Sequence, residues 1–560
     1  MTRRFAWVVA VVVVVLVAVA PSASAHATVV STSPSDGQVV AAAPSVVSVR
    51  FDEPVQMQFG ALRVFSPSGA RVDEGTPSHP PGHSDTVQVA VGSNLGRGTY
   101  TVAWHVISAD SHPVSGAFTF SVGASSSTSV PQDTLNAAGS KAVGVLYGFA
   151  RGTAYGGFAL MVGATAFLLC CWPTGAASRR VRVVIGGGWA ALVVATFAVL
   201  GLQGPYDGGF GLSRVFDSAV LHTTLGTRLG TALAVRLLLL GAAGIGLVLL
   251  LPRIAGASDR LRITAVAVGA ALAVAIAATW ATADHAGTGS QVALALPLDV
   301  VHVMAMAVWL GGLTVVVAVL LRPAGAEVPV LAAAIRRFST IALCCIGTLV
   351  ASGTYQAWRQ VGTLGALTGT VYGRLLLFKL LGVGLLIGLG YLARVWIAHY
   401  LAGPAMKADA VAIRQLRRST GIEVVFATGV LAITAMLVNA PPARTAYAAP
   451  VSTTVAFDAG GPKGKGSVQI FVSPAKAGTD LVHIETVSAS GEAEVVAQLT
   501  ATMSLPDRQL GPLPLNLDGA GTEHHYGNVA IPLPGKWIMA VTVRTDDIDE
   551  TTVQVPITIR

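Results

Sequence analysis

The chain has 560 residues, of which 53% are hydrophobic and 11% are charged, and its net charge is +8. This length exceeds that of one ordinary domain, and the apolar fraction is too high for a soluble globular protein. Most of the excess basic residues lie in short loops between long apolar runs, so the positive charge does not indicate nucleic-acid binding.

Residues 1–25 have the three parts of a secretory signal peptide. Arg3 and Arg4 form a charged start, residues 7–20 form an apolar core, and Ala-Ser-Ala at the end is an A-x-A cleavage site. An uncleaved anchor helix is the alternative, although the apolar run is short for a membrane span. Cleavage at this site would make His26 the first residue of the exported protein.

Residues 26–123 are predicted to form an all-β domain. Their short alternating runs, separated by Gly- and Pro-containing turns, are typical of a β-sandwich or barrel. The runs are residues 45–52, 62–65, 71–73, 86–91, 99–107 and 117–122. Val46 and Val49 are the core residues expected in the first run. Residues 124–140 are small and polar, which predicts a flexible linker.

Residues 141–440 contain eight apolar runs, each long enough to cross a bilayer. The hydrocarbon core is about 30 Å thick, so a spanning helix needs about 20 apolar residues. The runs are residues 143–171, 182–203, 229–252, 262–283, 296–321, 335–357, 373–398 and 420–439. Most arginines and lysines lie in the loops after odd-numbered runs, which the positive-inside bias places in the cytoplasm. An even number of spans then places both flanking domains outside the cell.

A short pattern recurs at the start of the third and seventh runs. Thr227-Arg-Leu-Gly230 resembles Thr370-Val-Tyr-Gly373, and a basic residue follows nine positions after each threonine, Arg236 in one case and Lys379 in the other. Four spans separate the two copies. The spacing therefore predicts two parallel repeats of four helices, as in several transporters.

Residues 441–450 (PPARTAYAAP) are predicted to be a second linker. Residues 451–560 alternate without long apolar runs, so they are predicted to form a second β-sandwich outside the membrane. Its expected strands are residues 467–472, 480–487, 494–499, 537–543 and 551–557.

Three residues of the first domain form a candidate metal site. An N-terminal His26 can chelate one metal ion with its α-amine and Nδ1. Asp110 and His112 are two residues apart, so they point to the same side of an extended segment. An amine, two imidazoles and a carboxylate make a mixed N/O donor set that suits Cu(II). A lone surface histidine is usually only solvated, but the coincidence of these three residues favours a copper site.

The same region resembles the CopC family of periplasmic copper-binding proteins. The resemblance is carried by His26, by Phe51-Asp-Glu-Pro54 and by the segment from Trp104 to Gly116 (WHVISADSHPVSG). In that family an N-terminal histidine, an aspartate and a second histidine hold Cu(II). The resemblance implies that His26, Asp110 and His112 are the copper ligands here.

The membrane block resembles the CopD family, which is associated with copper uptake or resistance. The matching motifs are Asp299-Val-Val-His302, Trp309-Leu-Gly-Gly312, Arg337-Phe-Ser339, Thr370-Val-Tyr-Gly-Arg374 and Glu423 ahead of Pro441-Pro442. Asp284-His285-Ala286 stands where the family often has Gly-His-Ala. The C-terminal domain resembles the YtkA-like domain through Pro534-Gly-Lys-Trp537. Together these resemblances imply a CopC–CopD fusion with a YtkA-like domain.

Several polar residues within the spans are candidates for a copper pathway. Ionisable residues inside a membrane are costly and usually face a pathway or a partner. Asp299, His302 and Met306 are three and four residues apart, so they share one face of the fifth run. His285 at the outer end of the fourth run and Glu423 in the eighth run complete this set. Carboxylate, imidazole and thioether side chains could pass copper inward.

The alternative is a structural role for the same residues. The histidine would then make an interhelical hydrogen bond and the methionine would be a core residue. The charged side chains of Glu423, Arg236 and Lys379 would pair with one another.

Three functions remain open at this point, and the first is favoured. In the first, the protein captures Cu(II) outside the cell and transports copper across the membrane. In the second, it delivers copper to envelope proteins without transport. In the third, it is a copper- or haem-dependent membrane oxidoreductase. The sequence has no Walker motif, so no ATP hydrolysis is expected. The protein is predicted not to be an enzyme. Its expected partners are copper ions, the lipid bilayer and copper-accepting envelope proteins, with no nucleic acid.

Adding one residue before His26 should greatly weaken Cu(II) binding by the exported protein, because the α-amine then moves away from the imidazole of His26. Isothermal titration with Cu(II) measures the change. Equal affinity with and without the added residue would contradict the chelate.

Overall fold

The computed structural model describes residues 27, 29–109, 113–124, 126, 140–287, 291–321, 328–401, 410–461, 464–508, 510–519, 523–531 and 534–560. A β-sandwich, a set of eight long helices and a second β-sandwich follow one another along the chain. This is the predicted fold class, and that prediction is confirmed. The predicted metal ligands His26, Asp110 and His112 lie outside the described residues.

The first β-sandwich consists of two four-stranded sheets, with strand orders β1-β3-β6-β5 and β2-β8-β7-β4. The strands are β1 (Val29–Ser33), β2 (Val39–Val40), β3 (Val46–Phe51), β4 (Gln56–Phe65), β5 (Asp73–Ser78), β6 (Thr86–Val91), β7 (Gly98–Ile107) and β8 (Pro113–Val122).

Alternation along β3 determines which residues enter the core. Val47, Val49 and Phe51 are at most 1% exposed, whereas Val46 is 40% exposed. The prediction for Val49 is confirmed and that for Val46 is wrong. Two residues three apart on a strand point to opposite faces, so Val46 and Val49 cannot both face the core.

Eight helices of the described chain are long and apolar enough to cross a membrane, as predicted. They are α1 (Lys141–Cys170), α2 (Arg179–Asp207), α3 (Arg228–Gly256), α4 (Asp259–Ala281), α5 (Val292–Leu320), α6 (Pro329–Val361), α7 (Val371–Ile397) and α8 (Arg414–Val438). Each follows one of the predicted runs. Because the number of helices is even, the chain enters and leaves the bundle at the same end.

Helix α5 lies in the middle of the bundle and packs against α1, α4, α6 and α8. A buried cluster joins most of the helices around it through Phe158, Leu192, Leu240, Ile276, Ala307, Leu386 and Ala427. Side chains on different faces of α5 therefore meet different groups of helices.

Helices α1 and α5 cross in backbone contact. A Cβ on Gly163 would collide with the carbonyl oxygen of Ala307, and a Cβ on Gly311 would collide with that of Ala159. Small residues permit such close approach of membrane helices, which gain stability from packing rather than from a hydrophobic driving force. Residues Ala159–Gly163 of α1 form a π-helical turn at this crossing.

The recurring Thr-x-x-Gly pattern has the same structural role in both copies. The Oγ1 of Thr227 accepts a 3.0 Å hydrogen bond from the Gly230 amide at the start of α3, and Thr370 caps α7 in the same way with the Gly373 amide. Helix α4 packs on α5, and α8 packs on α1. In two parallel four-helix repeats, the last helix of each repeat is expected to pack on the first helix of the other, and these two contacts have that form.

The second β-sandwich also has two four-stranded sheets, with strand orders β14-β11-β10-β9 and β13-β12-β15-β16. The strands are β9 (Val451–Asp458), β10 (Lys465–Ser473), β11 (Gly478–Ser488), β12 (Gln498–Leu505), β13 (Leu510–Pro514), β14 (His524–Ile531), β15 (Gly535–Arg544) and β16 (Glu550–Ile559). The expected strand at 494–499 begins later, at Gln498. Strands β9, β13 and β14 were not predicted from the sequence.

Replacing Gly311 by alanine should destabilise the helical bundle, because the added methyl group collides with the backbone of α1. Overpacking of this kind typically costs about 1–3 kcal/mol. Thermal unfolding of the detergent-solubilised protein measures the change. Gly241→Ala in α3 is the matched control, since a Cβ there meets nothing within 4 Å and alanine favours a helix. If both variants unfold at the same temperature, the close crossing does not contribute to stability.

Candidate functional site

The strands on either side of the predicted Asp110 and His112 are firmly held together. In the sequence, both residues fall between the end of β7 at Ile107 and the start of β8 at Pro113, and these two strands are neighbours in one sheet. A Cβ on Gly116 would lie 2.5 Å from the indole of Trp104, so this position accepts only glycine. The Trp104 ring in turn meets Phe51 edge-on, with the ring centroids 5.3 Å apart. The tight glycine–tryptophan contact fixes the spacing of the two strands.

A cavity of about 420 Å³ lies along α5, and we call it the polar cavity. Asp299, His302 and Met306 all line it, so the prediction that they share one helix face is confirmed. Met304 lies on another face of α5 and lines a separate cavity among mostly aliphatic side chains. The polar cavity is also bounded by residues of α6, α7 and α8.

Hydrogen bonding determines which nitrogen of His302 carries its proton. The hydroxyl of Ser352 donates its single hydrogen to the carbonyl of Thr348, at 2.6 Å. The same hydroxyl lies 2.8 Å from Nδ1 of His302, so it must accept a hydrogen bond from that nitrogen. In the neutral imidazole Nε2 then keeps its lone pair. A metal-binding histidine typically has this arrangement, in which the non-ligating nitrogen donates to a neighbouring oxygen.

Asp299 has both a polar partner and cationic neighbours. Its Oδ1 accepts a 3.0 Å hydrogen bond from Nε2 of Gln356 in α6. Lys379 of α7 and Arg359 of α6 line the same cavity. A metal cation bound by Asp299 would therefore compete with these cations for the negative charge of the carboxylate.

A second cavity of about 210 Å³ lies further along the bundle and contains Glu423 of α8. Trp309 of α5, Ile346 and Ile387 line both this cavity and the polar cavity. Glu423 is only 4% exposed, and its Oε1 has no hydrogen-bond partner among the described residues. A buried carboxylate oxygen without a partner is costly, which favours a role in binding a cation or a proton.

The Asp284-His285-Ala286 element lies at the end of α4. Asp284 forms an ion pair with Arg151 of α1, in which Nη2 of the arginine donates to both carboxylate oxygens, at 2.8 and 2.9 Å. Arg151 also donates to Asn439 just after α8, at 3.1 Å. The aspartate that replaces the usual glycine of this element therefore connects helices at one end of the bundle. The backbone of His285 begins a short 3₁₀-helix, His285–Gly287.

The alternative in which Glu423, Arg236 and Lys379 pair with one another is not what the described structure shows. The guanidinium of Arg236 lies 3.7 Å from the centroid of the Trp280 ring, and its Nε donates to Thr279 at 2.8 Å. Lys379 lines the polar cavity and Glu423 lines the second cavity. The three charges lie in different surroundings because their helices contribute to different parts of the bundle.

Two polar residues of the site, Ser352 and Gln356 of α6, were not predicted from the sequence. Elsewhere in the bundle, an unpredicted polar chain runs from Tyr147, which donates to Gln203, to Asp207, which accepts from Gln203 at 2.7 Å. The signal that identified Asp299, a polar residue inside an apolar run, was also present at these positions.

In the described part of the chain, no group of three or more His, Cys, Asp and Glu side chains is arranged to hold a metal ion. The polar cavity brings together one carboxylate, one imidazole and one thioether along one helix face, and each is on a different turn. Such an arrangement suits successive weak contacts with a moving ion better than one tight metal centre.

The fold and the polar cavity define a multi-pass membrane protein. In the sequence, one β-sandwich domain precedes the helical bundle and another follows it. The family model of the CopC domain matches residues 29–123, and that of Copper resistance protein D matches residues 332–437. The chain therefore belongs to the proteins that fuse a CopC domain to a CopD domain, as the sequence analysis predicted. The YtkA-like resemblance of the C-terminal domain stays a prediction.

Similarity to known proteins extends over most of the chain. Copper transport protein CutJ of Bacillus subtilis (strain 168) is 25% identical over 489 residues, which cover 85% of each chain. Protein YobA of Escherichia coli (strain K12) is 32% identical over 89 residues, 16% of this chain and 72% of YobA. The crystal structure of CopC from Methylosinus trichosporium OB3b covers 17% of this chain and 93% of its own, with 27% identity and a TM-score of 0.16.

Proposed function

We propose that this protein captures Cu(II) outside the cell with its first domain and transports copper across the cytoplasmic membrane through the helical bundle. The main support is the polar cavity, in which Asp299, His302 and Met306 line one face of the central helix. The similarity to a copper transport protein over 85% of the chain supports the same role. The protein acts as a carrier rather than an enzyme.

The copper pathway begins at the end of α5 that carries Asp299. The carboxylate attracts the cation, Nε2 of His302 binds it next, and the thioether of Met306 provides a soft ligand one turn further along. Because the hydroxyl of Ser352 accepts a hydrogen bond from Nδ1, His302 needs no proton rearrangement before it binds copper.

The pathway continues into the second cavity. Trp309 lines both cavities, so its side chain separates the two binding regions. Glu423 then supplies a negative charge where the described structure gives its Oε1 no hydrogen-bond donor. Copper or a proton that moves with it would satisfy this oxygen.

Both β-sandwich domains lie outside the cell in this proposal. The chain enters and leaves the bundle at the end that carries Asp299, since α1 begins and α8 ends there. The loops at the opposite end hold most of the basic residues, which favours a cytoplasmic position for them. The polar cavity then faces the outside and Glu423 lies towards the cytoplasm.

His302→Gln should reduce copper uptake strongly, because glutamine keeps a hydrogen bond but loses the imidazole ligand. Ser352→Ala should reduce it by about tenfold, the lower end of the usual effect of losing a group that orients a ligand. Met306→Leu should also slow uptake, since leucine keeps the volume without the sulfur. Uptake of radioactive copper into proteoliposomes with equal protein content measures these effects.

Met304→Leu is the matched control, because Met304 faces a different cavity. The competing explanation is that His302 only holds helices together, an interaction worth about 0.6–2 kcal/mol in a membrane. Normal uptake by both His302→Gln and Met306→Leu would remove this face of α5 from the pathway. Copper binding without any uptake by the unaltered protein would favour delivery to envelope proteins, and a haem absorption band would favour an oxidoreductase.

A cysteine placed at Ser490, which is exposed in the C-terminal domain, should react with an impermeant thiol reagent on intact cells. A cysteine at the exposed Ser258, between α3 and α4, should react only after the cells are permeabilised. Both are placed in a chain whose four native cysteines are replaced by alanine. Labelling of Ser258→Cys on intact cells would reverse the proposed orientation.

A further inference from the structure

Two histidines of the C-terminal domain meet on one face of a β-sheet. His483 lies on β11 and His524 is the first residue of β14, and these two strands pair antiparallel. Glu485 is directly opposite His524 in the register, so His483 lies on the adjacent diagonal. Residues two apart on a strand point to the same side, which places both imidazoles on one face.

The two rings present nitrogens to each other. Nε2 of His483 is 3.2 Å from Nδ1 of His524, and the ring planes are only 19° apart. Two nitrogen ligands about 2.0–2.1 Å from one metal ion stand about 2.9–3.4 Å apart when they occupy neighbouring positions. The observed separation therefore lies within the range that one bound ion requires.

A hydrogen bond between the two rings is a weak explanation for why His483 and His524 lie together. The side chain of His524 is 46% exposed, and an exposed hydrogen bond between neutral groups competes with water and contributes little to stability. Exposure also leaves the site open to ions from solution. Small rotations of the two side chains would direct both lone pairs at one ion.

Acidic residues surround the pair. The carboxylate of Glu523 is 3.8 Å from Nε2 of His524, the nitrogen that faces away from His483. This distance is longer than a hydrogen bond, but a small rotation of the Glu523 side chain would let it accept from Nε2, as carboxylates do beside metal-binding histidines. Glu485, opposite His524, adds a second negative charge beside the pair.

We propose that His483 and His524 form a metal site on the C-terminal domain that binds Cu(II), with Glu523 as a positioning residue. Among divalent first-row metals, copper binds most tightly to a nitrogen donor pair. The two imidazoles would be the only protein ligands, and water would fill the remaining coordination positions. A site with two protein ligands agrees with the finding that no group of three or more such side chains is arranged around a metal ion in the described residues. The site does not depend on the transport pathway, since it lies in a different domain of the chain.

The test uses the full chain in detergent with His26→Ala, His112→Ala and His302→Gln, which removes the histidines of the predicted N-terminal site and of the proposed pathway. This protein should still bind about one Cu(II), with nitrogen hyperfine structure in its electron paramagnetic resonance spectrum. His483→Gln and His524→Gln should each abolish that signal. Glu523→Gln should weaken binding by about 10- to 100-fold, as expected for loss of a group that orients a ligand.

His222→Gln is the matched control, because His222 is an exposed histidine in the short helix Ser218–Leu225 between α2 and α3. It should leave the copper signal unchanged. Copper binding that survives both His483→Gln and His524→Gln would overturn the site, as would an equal loss in His222→Gln. Uptake by His483→Gln proteoliposomes is measured separately, so failure of the metal site and failure of the transport proposal are distinguishable.

Discussion

The backbone contact between α1 and α5 determines how the bundle distributes its polar residues. Gly163 and Gly311 allow each helix to approach the carbonyl oxygens of the other. With α5 held in the middle, its successive faces meet different helices. Asp299, His302 and Met306 then face α6, α7 and α8, whereas Met304 faces aliphatic residues. The same helix thus presents a carboxylate, an imidazole and a thioether on one side and only apolar contacts around Met304 on another.

A bilayer core contains no water, so these polar residues must find their hydrogen-bond partners within the protein. Ser352 has only one hydrogen and donates it to the carbonyl of Thr348, so its oxygen is left to accept from His302. A serine on a neighbouring helix therefore fixes the chemical form of the histidine. Glu423 differs from His302 because its Oε1 has no hydrogen-bond partner in the described structure. The second cavity therefore offers a carboxylate oxygen that no protein group satisfies, whereas His302 in the polar cavity has a partner for Nδ1.

Local patterns predicted the helices well, whereas distant partners could not be predicted. Apolar length predicted α1–α8, and a four-residue pattern predicted that Thr227 and Thr370 stand at the start of corresponding helices, because both signals depend on neighbouring residues. The bond from Arg151 to Asn439 joins residues 288 positions apart, and no local pattern contains it. Strand β14 was missed because its polar residues, including His524, interrupt the alternation. The His483–His524 pair was missed for the same reason.

Arg236 and Lys379 occupy matching positions in the two predicted repeats but have different surroundings. Both follow a capped Thr-x-x-Gly start by the same interval, but Arg236 lies against the Trp280 ring and Lys379 lines the polar cavity. In the first predicted repeat the buried cation therefore braces the packing between two helices. In the second repeat the cation at the matching position contributes its charge to the interior cavity instead.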